Sequence, residues 1–189
     1  YYASFPYADK TLALVPWAGD RSLVDWIQKK VVWHVTLEQG AANEDWNACS
    51  RNTAYTLNHN LYVLTADGKR RQVSQDGSMD VVYGEAVHRN EFGIEKGTYW
   101  SPDGSLLAFY RMDQSMVTKY PQVALAQIAD GKPVPSAAAN GNAPTVCASL
   151  APDAYPMAGE PMHKVTVGVY DVAADKTVYL KAGDPTDRY

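Results

Sequence analysis

The sequence predicts an all-β protein of about three four-stranded β-propeller blades, which form a partial propeller with two insertions. First, 13 tyrosines and 5 tryptophans occur among the 189 residues, and aromatic side chains favour half-buried strands over helices. Second, an aromatic anchor followed after eight and nine positions by an apolar pair recurs three times, at Phe5, Trp46 and Trp100. Third, each anchor leads through a polar turn to a second strand and then to a further hairpin. We expect the anchors themselves to be core residues.

Blade 1 is predicted over about residues 1–40. Phe5 begins its first hairpin, and its second hairpin pairs Ser22–Trp26 with Val31–Val35. From Phe5 to Trp46 the chain advances by 41 positions, which is typical of one four-stranded blade. The repeat length therefore agrees with the strand pattern.

Blade 2 is predicted over about residues 43–75. Trp46 begins its first hairpin, and its second hairpin pairs Asn60–Leu64 with Arg70–Val73. The turn at 66–69 contains an Asp-Gly pair, which suits a tight turn because glycine accepts a positive φ. All four strands of this blade are thus accounted for.

Blade 3 is predicted over about residues 97–182. Trp100 begins its first hairpin, whereas its second hairpin, Val165–Tyr170 with Thr177–Leu180, comes much later than in the other blades. We therefore expect an insertion at about 112–163 inside this blade. Its middle is rich in Ala, Gly, Asn and Pro, which predicts an irregular segment, and its two ends are expected to be ordered.

An excursion is predicted at 76–96, because Trp46 and Trp100 lie 54 positions apart, about a dozen more than a blade requires. Insertions on a rigid repeat scaffold commonly carry binding groups, so this segment is the first candidate for function. A solvated surface loop is the alternative. Its charged and polar side chains are Glu85, His88, Arg89, Glu91, Glu95 and Lys96.

Composition and short motifs exclude several kinds of function. The net charge of -4 provides no basic surface for nucleic acid, and no apolar run reaches the roughly 20 residues of a membrane-spanning helix. The two cysteines are too few for a disulfide scaffold and too far apart for a metal knuckle. No G-x-S-x-G, no H-E-x-x-H and no phosphate-binding glycine loop occurs, so we expect no catalytic residues, metal or cofactor within the chain. His34 and His59 are expected at strand or turn positions without a catalytic role.

The chain opens at Tyr1-Tyr2 without Met or a signal-like segment, which predicts a processed or cloned boundary with any targeting signal upstream.

Two stretches, VYGEAVHRNEFGIEKGTYWSPDGSLLAFYRMDQSMV and YPMAGEPMHKVTVGVYDV, resemble the propeller domain of bacterial dipeptidyl peptidase IV-like enzymes. The two stretches are most similar in sequence to prolyl tripeptidyl peptidases and their relatives in Bacteroidetes, and the resemblance extends from about Asn43 to the end of the chain. It implies a serine exopeptidase of the prolyl oligopeptidase clan, in which an eight-bladed propeller lies over an α/β-hydrolase domain. That domain would supply a Ser, Asp and His triad, none of which is part of this chain.

The resemblance also implies that acidic side chains on a short helical excursion of the propeller bind the free amino terminus of the peptide. Counting back from the shared turn after Trp100 aligns the acidic position with Glu91. The stretch 80–83 aligns independently with the strand that precedes this excursion in the family, and both counts favour Glu91 over Glu85. The residues before it are Arg89-Asn90 rather than a second glutamate, which resembles the tripeptidyl pattern more than the dipeptidyl one. His88, Arg89 and Asn90 are supporting candidates. Arg111 is a further candidate for the same cavity, with a purely structural role as the alternative.

The expected partners are peptide substrates with a free N-terminus and a C-terminal α/β-hydrolase domain of the parent protein. The family points to the periplasm or cell envelope of a Gram-negative bacterium. The alternative hypothesis is a non-catalytic, propeller-like binding or assembly module. Because three blades are too few to close a propeller, the open blade edges also predict self-association.

Overall fold

The computed structural model describes four parts of the chain, namely residues 3–87, 93–125, 148–181 and 183. Within these parts the backbone forms sixteen β-strands and no α-helix, so the predicted all-β class is confirmed. Two compact units are present: Tyr1–Asp113 together with Lys164–Tyr189, and Gln114–His163. The first unit contains three antiparallel sheets, the blades of a partial propeller.

Blade 1 is a sheet of three strands in the order β1 (Leu12–Trp17), β2 (Asp20–Asp25) and β3 (Lys30–Thr36). The predicted first strand is reduced to one isolated bridge, in which Ser4 and Leu14 exchange backbone hydrogen bonds of 2.8 and 3.0 Å. Blade 1 therefore has three strands where four were predicted.

The prediction that Phe5 is a core anchor is wrong, because its side chain is 50% exposed. Phe5 follows the single bridge at Ser4 rather than lying in a continuous ladder, so no strand on either side fixes it against the sheet. The repeat spacing identified the correct register of the blade but not the burial of this residue.

Blade 2 has four strands in sequential order: β4 (Ala42–Trp46), β5 (Thr53–Leu57), β6 (Asn60–Leu64) and β7 (Arg70–Gln72). Its central strands are buried along almost their whole length. A strand covered on both faces needs a continuous apolar run instead of strict alternation.

Two hydrophobic clusters explain this burial. One joins Ala54, Leu61 and Val63 of blade 2 to Leu107 and Phe109 of blade 3. The other joins the opposite face of blade 2 to blade 1 and contains Val35, Leu37, Tyr55, Tyr62 and Leu64. Blade 2 is therefore packed between its two neighbours.

Blade 3 is built around β10 (Leu106–Asp113), which pairs along its whole length with β15 (Lys164–Asp171). β16 (Lys176–Tyr179) follows on the outer side of β15. On the other side of β10 lie two short strands, β8 (Val81–Tyr83) and β9 (Thr98–Trp100). These two strands pair with different halves of the same neighbour.

The structure thus corrects the predicted excursion at 76–96. Residues 81–83 belong to the blade 3 sheet, where Tyr83 lies opposite Arg111. The chain leaves the sheet only after Gly84 and rejoins it at Thr98. The blade repeat alone did not separate β8 from the excursion, because a strand of three residues is too short to show an alternating period, whereas the family resemblance placed a strand at 80–83.

The second compact unit corresponds to the insertion predicted at about 112–163. It contains four short strands, β11 (Lys119–Tyr120), β12 (Val123–Leu125), β13 (Ala148–Leu150) and β14 (Asp153–Ala154). They form two antiparallel pairs, β11 with β14 and β12 with β13. The Ala, Gly, Asn and Pro-rich run lies outside the described residues.

Candidate functional site

The site is built at a neck where one strand of blade 3 is interrupted. Strands β8 and β9 lie end to end along β10, and Tyr110 of β10 holds both broken ends. The amide of Gly84 donates to the Tyr110 carbonyl at 2.9 Å, and the Tyr110 amide donates to the Gly97 carbonyl at 2.9 Å. We call residues 84–85 and 96–98 the neck. The ladder therefore continues across the interruption.

Two glycines make the neck narrow. Gly84 has a φ of +67°, a conformation that side chains with a Cβ rarely adopt. A Cβ on Gly97 would lie 2.5 Å from the carbonyl carbon of Glu85 and 2.7 Å from its amide nitrogen. Because these atoms are backbone, no side-chain rotation can relieve the clash. Glycine at 97 thus permits the two ends to touch.

Asp45 of blade 2 holds the returning end of the neck. Its carboxylate accepts hydrogen bonds from Lys96 Nζ at 3.0 and 3.1 Å and from Thr98 Oγ1 at 3.0 Å. Its backbone carbonyl accepts the Trp100 indole N–H at 2.8 Å. The Asp45 side chain is 16% exposed and Thr98 is fully buried, so the bonds from Thr98 and Trp100 are partly shielded from water, whereas those from Lys96 are exposed.

Glu85 holds the outgoing end. Its carboxylate oxygen Oε1 lies 4.0 Å from Nδ1 of His59, in the tight turn between β5 and β6 of blade 2. Burial raises the pKa of the Glu85 carboxyl, and the charge of a protonated His59 opposes this shift. The sequence assigned no role to His59, since the contact depends on the packing of two blades. Glu85 is thus a half-exposed carboxylate at the base of the excursion.

Arg111 lies next to the neck but has structural partners. Its Nε donates to Tyr83 Oη at 2.9 Å, and its Nη2 donates to an Asp76 carboxylate oxygen at 3.2 Å. Tyr83 in turn donates its hydroxyl to Asp76, and this bond lowers the pKa of the Asp76 carboxyl. The guanidinium lies 5.7 Å from the centre of the Tyr83 ring. These contacts match the structural alternative, and a role for Arg111 in substrate binding stays a prediction.

The structure therefore places Glu85 in the neck. Arg111 follows Tyr110 on β10 and lies opposite Tyr83 of β8, next to the neck. The other four predicted residues, His88, Arg89, Asn90 and Glu91, lie outside the described residues. Sequence reasoning missed three residues, in blade 2 and in the loop after it, that contact the neck or Arg111. A signal was available for the neck itself, because Gly84 and Gly97 flank the charged segment. The missed residues are Asp45, His59 and Asp76.

Among the parts of the chain that the structure describes, no helix has the length and apolar character needed to cross a membrane.

Comparison with known proteins identifies similar chains. A family model described as the dipeptidyl peptidase IV N-terminal region matches residues 16–189. A probable dipeptidyl-aminopeptidase B from Talaromyces marneffei is 34% identical over 135 residues, which cover 67% of this chain and 14% of that protein. A protein of the same description from Pyrenophora tritici-repentis is 36% identical over 123 residues, covering 62% and 13%. The match therefore spans a small part of these relatives.

Two solved structures are also similar. A putative dipeptidyl aminopeptidase IV from Bacteroides ovatus matches with a TM-score of 0.79 and 43% identity, covering 100% of this chain and 23% of that one. The dipeptidyl peptidase 4 of Porphyromonas gingivalis matches with a TM-score of 0.60 and 20% identity, covering 94% and 25%. At that identity the second match shows only a shared fold.

Proposed function

Because this chain belongs to the family of the dipeptidyl peptidase IV N-terminal region, we propose that it is the propeller part of a serine exopeptidase. The enzyme would release Pro-containing di- or tripeptides from the N-termini of peptides. The propeller would limit access to peptides and bind their free amino group. The observation that carries this proposal is the excursion at the neck, which the blade 3 sheet and blade 2 hold at both ends.

The amino group would be bound by Glu91, with Glu85 as a second carboxylate. An ammonium group that leaves bulk water needs a carboxylate within hydrogen-bonding distance, and such charge-assisted bonds are among the stronger ones in proteins. A fixed carboxylate also sets the distance from the peptide terminus to the bond that is cut. The raised pKa of Glu85 has burial as its main cause, which supports a partly desolvated position at the neck.

The remaining candidates have subordinate roles in the proposal. His88, Arg89 and Asn90 would support the orientation of Glu91, and Arg111 would hold the adjoining strand through Tyr83 while facing the substrate cavity. The nucleophile and its base would come from an α/β-hydrolase domain elsewhere in the parent protein. We place that protein in the periplasm or cell envelope.

Kinetics of the full-length protein test the amine-binding role. The change is Glu91→Gln, assayed with chromogenic Xaa-Pro and Xaa-Xaa-Pro substrates that have either a free or an acetylated N-terminus. We expect kcat/KM for the free-amine substrates to fall by about 10- to 100-fold, because a charge-assisted hydrogen bond contributes about 1.5–3 kcal/mol. Comparing the two substrate lengths also shows whether a di- or a tripeptide is released.

Glu95→Gln is the matched control, since it removes the same charge from an exposed position of the same excursion. Its kcat/KM should stay within about twofold of the unsubstituted enzyme. An unchanged kcat/KM in Glu91→Gln would reject the role of Glu91. A parallel loss in both variants would instead indicate a general electrostatic effect of the excursion.

A second candidate function, a non-catalytic module that assembles with other chains, is favoured by exposed apolar side chains on the outer blades. In blade 1, Trp26 and Val31 are more than half exposed, and in blade 3 Val178 is 56% exposed. Such surfaces favour association through blade faces and edges. A reading frame that continues beyond Tyr189 into a G-x-S-x-G domain favours the peptidase. If the reading frame stops at Tyr189, an apparent mass that rises with concentration in light scattering favours the assembly module.

A further inference from the structure

The neck is attached to blade 2 as well as to its own sheet, and this second attachment is not required by the fold of blade 3. The Tyr110 hydrogen bonds already close the ladder between the two broken strands. Asp45 lies in a different blade, 51 positions before Lys96 in the sequence, and nevertheless contacts the returning end through two side chains. The contacts of Asp45 therefore restrain the neck beyond what the strand pairing of blade 3 requires.

We propose that Asp45 is a positioning residue, which fixes the end of the excursion that rejoins blade 3 by binding Lys96 and Thr98. This inference rests on the proposed function, because the excursion carries Glu91. The chemistry suits the role. An aspartate side chain is short, so its carboxylate has little freedom of its own. Its side chain is 16% exposed, and its bond with Thr98 is partly buried.

The long and mobile partner is Lys96, whose side chain is 54% exposed. Two of its atoms are nonetheless restrained, since Nζ binds Asp45 and the Lys96 carbonyl accepts the Tyr99 hydroxyl at 3.0 Å. Its ammonium group also lies 5.4 Å from the centre of the Tyr99 ring. Lys96 is the last residue before the close contact of Gly97 with Glu85, so a backbone rotation at Lys96 would move the residues that lead into this contact.

The matched control is an ion pair of the same kind at another place between the same two blades. Arg71 Nη1 of blade 2 binds Asp175 of blade 3 at 2.8 Å, and Asp175 also accepts the hydroxyl of Tyr170, which lies in blade 3 away from residues 84–85 and 96–98. Asp175→Asn therefore removes an inter-blade charge interaction without touching the excursion. A general loosening of the propeller would affect both variants, whereas the positioning role would affect only the variant at Asp45.

Hydrogen exchange on the 189-residue chain tests the inference without any assay of activity. In Asp45→Asn we expect the Gly84 and Tyr110 amides to exchange about tenfold faster, because the neck opens more often once the ion pair is lost. Asp45→Ala, which also removes the acceptor for Thr98, should increase this exchange further. Asp175→Asn should leave both amides unchanged. Equal exchange in Asp45→Asn and the unsubstituted chain would overturn the inference.

Kinetics of the full-length peptidase then connect the neck to substrate binding. Asp45→Asn should raise KM for a free-amine peptide about tenfold with kcat nearly unchanged, and it should leave the acetylated peptide unaffected. In a Glu91→Gln background, Asp45→Asn should have no further effect, because both changes act on one interaction.

The two proposals fail in different ways. If Glu91→Gln has no effect on kcat/KM, amine binding by Glu91 is rejected while hydrogen exchange still decides the role of Asp45. If Glu91→Gln impairs the enzyme but Asp45→Asn changes neither exchange nor KM, the positioning role is rejected alone. If Asp45→Asn and Asp175→Asn raise KM equally, the contact is a general structural one and the inference is overturned.

Discussion

Packing between blades 2 and 3 can be tested at a turn where they meet, by substituting Gly104 with alanine. Gly104 has a φ of +71°, and a Cβ there would lie 2.6 Å from Asn47 Oδ1 and 2.6 Å from Ser50 Cβ. The turn of blade 2 also binds this turn, since Asn52 Nδ2 donates to the Gly104 carbonyl at 3.2 Å. The substitution therefore combines an unfavourable φ with a clash.

Gly68→Ala isolates the first of these two effects. Gly68 occupies the same place in another Asp-Gly turn, has a φ of +80°, and has no atom within 4 Å of its would-be Cβ. A positive φ costs about 1–2 kcal/mol for a residue with a Cβ, and the lower entropy of the unfolded alanine chain returns about 0.4–1 kcal/mol. Gly68→Ala should thus lower the free energy of unfolding by about 0.5–1 kcal/mol.

Gly104→Ala should lower the free energy of unfolding by a further 1–3 kcal/mol or so, the usual cost of overpacking. Urea denaturation of the 189-residue chain, monitored by tryptophan fluorescence, measures both variants under the same conditions. If the two substitutions destabilise the chain equally, to within about 0.5 kcal/mol, the packing of these turns does not occur in solution.

Two further predictions concern single residues. The hydrogen bond from the Tyr83 hydroxyl is the main cause that lowers the pKa of the Asp76 carboxyl in the folded chain. The ionised carboxylate therefore stabilises the fold above the unfolded pKa of about 3.9, and this stabilisation is lost as pH falls through the folded pKa. Denaturation at a series of pH values should then show a shallower acid-side loss for Asp76→Asn, and an unchanged slope would contradict this. Phe5→Ala should change the free energy of unfolding by less than about 0.5 kcal/mol, because the Phe5 side chain is exposed. The Phe109 side chain is 1% exposed, so Phe109→Ala should lower the free energy of unfolding by about 3–5 kcal/mol. Similar losses in the two variants would mean that Phe5 is packed in the core.

The sequence predicted the elements that depend on local patterns. The second hairpins of all three blades were found from apolar runs bounded by turns, because such runs are short-range features of the chain. The insertion in blade 3 was found from spacing alone, and the structure starts it after Asp113 and ends it before Lys164. Trp100 is partly buried against the core shared by blades 2 and 3, as its place in the repeat suggested.

Contacts between distant strands could not be predicted in this way. Arg111 and Tyr83 are 28 positions apart, and they meet only because β8 pairs with the end of β10. Asp45 looked like an ordinary residue before an anchor tryptophan, since its partners belong to another blade. These contacts depend on strand register and blade packing, which a single sequence does not specify.

The way the neck is closed separates the stability of the scaffold from the sequence of the excursion. Tyr110 pairs with Gly84 on one side and Gly97 on the other, so the register of β8 and β9 on β10 does not depend on what lies between them. Lengthening a closed loop costs little, about 0.6 kcal/mol for each doubling. The length and the sequence of the excursion can therefore change without altering the strand pairing of blade 3.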